Sequence, residues 1–310
     1  MVGVDDLSMG HMGAIERLMG VSKGRLAFVK ANVGDRGVME RVLVEHDVGE
    51  VMHFAASALV GESVERPTKY YLNNTGATAS LLEAIDAGGD RAAGGGVRSV
   101  VFSSTCATYG EPGERWIPMR EDCPQSPINP YGRSKLASEM LLKDWAEARR
   151  IAGKSVGLAM LRYFNVAGSD RTGLIGEDHN PETHLIPVVL QVALGTRKGV
   201  KIFGTDYPTA DGTCLRDYIH VEDLVDAHAA VLAGVKAGEV RVYNLGTGTA
   251  VSVREIIEAA RRVTGHAIPA EEVGRRAGDP AVLLADPSKI LREVGWSAKI
   301  MSVDEMVGSA

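Results

Sequence analysis

The run VRSVVFSS (97–104) decides the fold. It is almost unbroken apolar chain with no alternation, the texture of a strand covered on both faces of a parallel sheet. The same texture returns at RLAFVK (25–30), EVMHFAA (50–56), SVGLAMLRYF (155–164) and VRVYNLG (240–246). Even the opening Val2-Gly3-Val4 reads as the tail of a buried strand, with Asp5-Asp6 at its end. Helical patterns fill the gaps over about 35–45, 67–87, 129–151 and 221–235, the last with acids in its first turn, where the helix dipole favours them. Strands alternating with helices of this length predict βαβ units and a parallel α/β sheet.

After Asn165 the texture changes. AGSDRTGLIGEDHNPETH (167–184) is long, polar and turn-rich, and such loops are often functional. LIPVVLQVALG (185–195) then reads as a helix with Pro187 in its first turn. At 310 residues the chain can bury a large core as one elaborated unit or two domains. Its 45% apolar and 24% charged residues are ordinary for a soluble enzyme. The net charge of −6 and the absence of a Lys/Arg run argue against a nucleic-acid partner. Cys106, Cys123 and Cys214 are odd in number and form no CxxC, so a reducing compartment is expected, with no disulfide framework and no metal. No apolar run approaches the ~18 residues of a membrane span, and no signal peptide is evident.

Two glycine stretches invite a phosphate-loop reading. GGDRAAGGGV (88–97) follows a helix and leads into a strand, the reverse of a dinucleotide loop, and reads as a surface connection. GTGTAVS (246–252) has the right order but not the G-x-G-x-x-G spacing. A turn plus a helix cap at Thr249 or Ser252 explains it more simply. His220 and His228 lie eight apart without a second ligand at metal spacing, so each is read as a core or solvated histidine.

The chemistry gathers at TCATYGEP (105–112) and NPYGRSK (129–135). Tyr131 and Lys135 are four apart and share a helix face. A phenol with a free pKa of ~10 is a poor base at neutral pH; an adjacent ammonium favours the phenolate. Thr105, just after a buried strand, offers a hydroxyl to a reacting oxygen. The three make an acid/base set for moving a proton on and off a sugar hydroxyl while a nicotinamide takes the hydride. Standing alone, Tyr131 and Lys135 would be read as a surface pair one turn apart. The preceding strand and the NPYG turn into the helix change that reading.

With DDLSMGH, MHFAA, VGESVERPTKYYLNN, FSSTCATYGEP, INPYGRSK, LRYFNVAGSD, IFGTDYPTADGTCLRDYIHVEDL, YNLGTG and RRAGD, the chain resembles the extended short-chain dehydrogenase/reductases from Asp5 nearly to its end. Within them it is most similar to the UDP-sugar 4-epimerases, above all those that interconvert UDP-glucose and UDP-galactose through a 4-keto intermediate. The resemblance implies a Rossmann-type, doubly wound NAD domain (1–165) and a smaller C-terminal α/β region for the UDP-sugar (166–310), with parts of 221–246 returning to the first. It implies Tyr131 as base, Lys135 as its tuning partner and Thr105 as the third member, all three also against NAD. It places Asp5, Asp6, Asn32, Val33, Phe54, Ala55, Asn73 and Phe164 around the cofactor. It places Asn165, His184, Leu185, Phe203, Arg216, Arg276, Asp279 and Leu283 around the substrate. Arginine forks suit a diphosphate; without the resemblance, Arg216-Asp217 and Arg276-Asp279 would each read as a surface ion pair. A homodimer through the helices at 67–87 and 129–151 is expected by analogy alone. So is a cytoplasmic place, or the Golgi if an anchor precedes the chain.

Departures from the pattern matter. Asn32 stands where Asp is usual, Asp6 where Asn is usual, and Ala58 where some members have lysine. The ribose acid of a dinucleotide fold lies ~20 residues after the glycines, and here it is residue 5. The expectation is that the first strand, glycine turn and first helix lie outside this chain, and that residues 1–310 alone bind NAD poorly and are inactive. Cys106-Ala107 follow Thr105 where sugar-nucleotide dehydratases place acids, which disfavours that chemistry. UDP-arabinose (UDP-xylose) 4-epimerase shares SSTCATYGEP, ADGTC and RRAGD, and Leu283 is a candidate wall that discriminates at C5. A non-catalytic UDP-sugar-binding protein is the alternative from another class; the intact trio argues against it.

Overall fold

The computed structural model describes residues 1–89, 94–276 and 279–310. The chain divides into two units. The first comprises Met1–Gly110, Gln125–Arg162 and His228–Val242, the second Glu111–Pro124, Tyr163–Ala227 and Tyr243–Ala310. The division differs from a cut at 165/166 chiefly in the piece 111–124, which belongs with the second unit.

The first unit opens with β1 (Val2–Asp5), α1 (Met12–Ser22), β2 (Ala27–Lys30), α2 (Arg36–Glu45), β3 (Glu50–His53) and α3 (Val60–Glu65). Then come α4 (Pro67–Tyr70), a π-helical turn (Tyr71–Gly76), α5 (Ala77–Gly89), β4 (Ser99–Thr105), α6 (Pro130–Ile151) and β5 (Gly157–Tyr163). The long helix expected over 67–87 is thus broken into two by the π turn. Asn74 lies within that turn: its amide oxygen accepts from Ser57 N at 2.7 Å while its nitrogen donates to Ser57 O and Ser134 Oγ. Such turns recur at functional sites.

The second unit contains β6 (Asn165–Ala167), α7 (Leu185–Ala193), β7 (Val200–Phe203) and β8 (Leu215–His220). Helix α8 (Val221–Gly234) and strand β9 (Val240–Leu245) each begin in one unit and end in the other. Then follow β10 (Ala250–Ser252), α9 (Val253–Thr264), β11 (Ala270–Val273), β12 (Val282–Leu283), α10 (Ser288–Val294) and α11 (Val303–Ser309).

The α/β architecture is as read, but its parallel strands fall into separate sheets. β1 pairs with β2, Val2 opposite Ala27 and Asp5 opposite Lys30. The main sheet runs β3-β4-β5-β9, with β3 parallel to β4. Burial explains why VRSVVFSS reads so clearly. All seven residues of β4 and six of seven in β5 are buried, packed with Leu43, Leu81, Ile85 and Leu142 from the helices. Each such side chain contributes roughly 1.5–3 kcal/mol by leaving water. β1 corrects the reading of its sequence: it is a strand, but Val2, Gly3 and Val4 are only half-buried.

In the second unit β8 is central, flanked by β10 and β12 and pairing also with β6. β7 pairs with β11. Its core is Ile186, Val189, Ile256, Ala260, Met306 and Val307, one apolar face each from α7, α9 and α11. Ser252 caps α9 in a capping box with Glu255. The glycine stretch at 88–97 is described only in part, and residues 90–93 lie outside the described residues.

Candidate active site

In the first unit, strand β4 ends beside helix α6. Asn129 starts α6 by accepting from Gly132 N, and Pro130 sits in its first turn, where a missing N–H costs nothing. The helical period then stacks Tyr131, Lys135 and Glu139 on one face, all buried. Lys135 Nζ donates to Ser103 O at 2.7 Å and lies 4.7 Å from the centre of the Phe102 ring. Burial pushes its pKa down to about 7, against the pull of Glu139. Thr105, the last residue of β4, is buried and its Oγ1 accepts from Ala107 N at 3.1 Å. The edge of Tyr131 meets Tyr70. The three residues proposed for chemistry therefore converge where one strand ends and one helix starts.

Beneath them lies a charged pair that the sequence reading missed. Arg162 on β5 makes a two-pronged ion pair with Glu139, at 2.6 and 2.9 Å. Ser104 Oγ and Gln125 Nε2 also donate to that carboxylate, and Arg162 donates to Tyr109 Oη. Burial alone would raise Glu139, but Arg162 together with the Ser104 and Gln125 hydrogen bonds holds the carboxyl below its usual range. The available signal was a carboxylate at i+4 from Lys135 on a face otherwise buried. His53 is another buried member: burial and then the Lys135 charge push it down to about 3, so it is neutral, with Nε2 2.9 Å from Thr78 Oγ1.

The residues expected around the cofactor are placed as follows. Asp5 and Asp6 close β1 in an Asx-type turn, their carboxylates accepting from Leu7 N and Ser8 N. The Ser8 hydroxyl holds Asp6 below the usual carboxylate range. Asp6 also accepts from Asn32 Nδ2 at 2.8 Å. Asn32 and Asn73 both line an open cleft of about 750 Å³, with Gly34, Lys69, Leu72 and Ala77. Asn73 donates to Ser57 Oγ. Phe54 is half-exposed and its ring lies 4.8 Å from that of His228, with Ala55 half-buried beside it. Val33 is half-buried and packs against the core cluster that holds β4. Phe164 falls in the second unit, buried, with its N–H on Leu245 O.

The second unit gathers the substrate candidates around β8. Neither arginine forms the surface pair that neighbouring sequence suggested. Arg216 is buried and pairs with Asp279, while its Nη1 donates to Leu215 O and Pro280 O. Arg276 stacks over Phe203, 4.4 Å from its ring centre. Leu283 sits opposite Arg216 in the β12–β8 register, and Asn165 opposite Tyr218 in β6–β8. His184 precedes Leu185 at the start of α7 without a side-chain cap. Asp217 is fully buried and accepts from Thr247 N, Gly248 N and Ala285 N. Its carboxylate fills the GTG turn, so those N–H groups serve the fold and not a phosphate. His220 and His228 are core residues, hydrogen-bonded to Ser309 and Ser103. Glu177, His179, Glu182 and His184 bring their ligating atoms within 4.8 Å of one another, a cluster the sequence reading passed over.

Comparison with known proteins shows the family. Residues 2–246 match the NAD dependent epimerase/dehydratase family. The chain is 45% identical to a UDP-glucose 4-epimerase of Halalkalibacterium halodurans, over 99% of its own length and 86% of the relative's. It is 42% identical to UDP-arabinose 4-epimerase 1 of Arabidopsis thaliana, over 99% and 71%. The crystal structure of UDP-glucose 4-epimerase from Bifidobacterium longum in complex with NAD+ and UDP superposes with a TM-score of 0.89. That match has 39% identity over 99% of this chain and 88% of the other.

Proposed function

The chain belongs to the NAD dependent epimerase/dehydratase family, and from that premise we propose that it interconverts UDP-glucose and UDP-galactose. The observation that carries this reading is that Thr105, at the end of β4, and Tyr131 and Lys135, one turn apart at the start of α6, are all buried. The donor set of the first unit suits NAD. Asp5 and Asp6 offer carboxylates to ribose hydroxyls, Asn32 and Asn73 offer amides, Phe54 offers a half-exposed ring face, and Lys135 offers an ammonium. NAD, when bound, supplies a hydride acceptor that gives the hydride back, so the reaction has no net oxidation.

The chain's own part is proton transfer and binding. Tyr131 Oη takes the proton of the sugar 4-hydroxyl and later returns it. With its pKa brought to about 7, Lys135 is partly charged at neutral pH, and in that form it favours the phenolate that does so. The Thr105 hydroxyl hydrogen-bonds the reacting oxygen. In the second unit Arg216 and Arg276 serve the diphosphate; Asn165, His184, Leu185, Phe203, Asp279 and Leu283 serve the uridine and sugar. Val64, Leu72 and Met140 expose large apolar side chains in the first unit and form the face for a second copy. Cys106, Cys123 and Cys214 are buried and form no disulfide, which suits a reducing, cytoplasmic setting; no described helix is long and apolar enough to cross a membrane.

The test is conversion of UDP-galactose by protein supplied with saturating NAD. Against the expectation that residues 1–310 alone are inactive, conversion is the outcome this reading predicts, and Tyr131→Phe should slow it by about 10²-fold or more. Turnover unchanged in Tyr131→Phe would overturn the assignment. The likeness to a UDP-arabinose 4-epimerase supports a second reading, separated by comparing kcat/KM for the two sugar nucleotides.

A further inference from the structure

We propose that Glu177, His179, Glu182 and His184 form a zinc-binding site in the loop leading into α7. The set offers two imidazole nitrogens and two carboxylates, a donor set zinc accepts. His179 Nδ1 lies 3.0 Å from Glu177 Oε1 and 3.5 Å from Glu182 Oε2. His184 Nδ1 lies 3.3 Å from the same Glu177 oxygen and 2.8 Å from Glu182 Oε1. Each nitrogen thus faces both carboxylates. Ligands held tetrahedrally at zinc's usual bond lengths stand ~3.3 Å apart, and these four contacts scatter about that value.

Hydrogen bonding within the cluster leaves one group unanswered. His179 Nδ1 is buried and makes no hydrogen bond, although Glu177 Oε1 is only 3.0 Å away. The carboxylate is close but out of line for an N–H. A neutral imidazole lone pair aimed at a shared cation fits that geometry. Glu182 is only 5% exposed; its Oε1 accepts from Thr183 N and His184 N and lies 2.8 Å from His184 Nδ1, which leaves Oε2, 3.5 Å from His179 Nδ1, as the oxygen offered to an ion. A divalent ion would balance the two carboxylates and leave both histidines neutral.

The site lies in one polar loop; it shares His184 with the residues assigned to the substrate and includes none of those assigned to proton transfer. Its consequence is positional. His184 is the N-cap residue of α7 and Leu185 its first residue, so an ion there would fix the entry to that helix. Zinc binding itself does not depend on the reaction proposed above.

Full-chain protein is stripped with EDTA, given ZnCl2, desalted and analysed for metal, with thermal unfolding in parallel. About one zinc per chain and a raised Tm are expected. His179→Gln and Glu182→Gln should each weaken binding by about tenfold or more. Co2+ in place of zinc should show the intense visible absorption of a tetrahedral site, and this reads the wild type alone if a variant fails to fold. Zinc retained equally by wild type and a folded His179→Gln protein, or no retention by wild type, would overturn the site. None of these readouts needs UDP-sugar turnover, so failure here is distinct from failure of the proposed reaction.

Discussion

Asp6 and Asn32 each depart from the pattern of the epimerases the chain resembles, and the departures meet. Asn32 Nδ2 donates to Asp6 Oδ2, while Asn32 Oδ1 accepts from Gly34 N. Carboxylate and amide stand at each other's usual positions and bond one another here, so the charge sits at residue 6. Lys135 carries a sharper consequence. Its free pKa is ~10.4, and burial brings it to about 7. Between those values the unfolded chain holds a proton that the folded chain lacks, so this residue makes stability rise with pH across that window. Below pH 7 the folded state bears the full cost of a buried ammonium. Lys135→Met should therefore be more stable than wild type at pH 6, by on the order of a few kcal/mol. The advantage should shrink by pH 9. Equal differences in Tm at the two values would mean that Lys135 titrates normally.

At the scale of elements, helix α6 is the organising piece. Its period presents Tyr131 and Lys135 at the end of β4, and one turn later Glu139 ties it to Arg162 on β5. The tie sets how α6 lies against the sheet, and thus where the phenol stands. Glu139→Leu leaves a buried guanidinium without its carboxylate and should cost about 3–5 kcal/mol in urea unfolding. Adding Arg162→Met removes the stranded charge and should recover most of the loss, as replaced buried pairs often do. A double variant no more stable than the single would show that packing, not charge, dominates there. The tyrosine and lysine were legible because a helix spaces them four apart. The ion pair was not, because its partner lies 23 residues on, in a strand that reads as pure core. The role of Asp217 was hidden for the same reason: its partners, near residues 247 and 285, are distant in sequence.

At the scale of the whole molecule, the exposed apolar residues of the first unit argue for a partner copy. Val64 is 63% exposed, Leu72 68% and Met140 59%. If a second copy docks on this face, Val64→Glu with Met140→Glu should lower the sedimenting mass, with far-UV circular dichroism unchanged. Identical sedimentation before and after would remove this face from consideration. The sequence by itself determined the alternation of strands and helices, the buried centre at VRSVVFSS, and the Tyr131–Lys135 pair, because each is written in local period and composition. Tertiary structure alone decided which charges are paired in the interior, that β1 is half-exposed, that a carboxylate fills the GTG turn, and that two histidines and two glutamates of one loop face each other. Those outcomes depend on where segments far apart in the chain pack and on how a loop turns back on itself, and hydrophobic period carries no record of either.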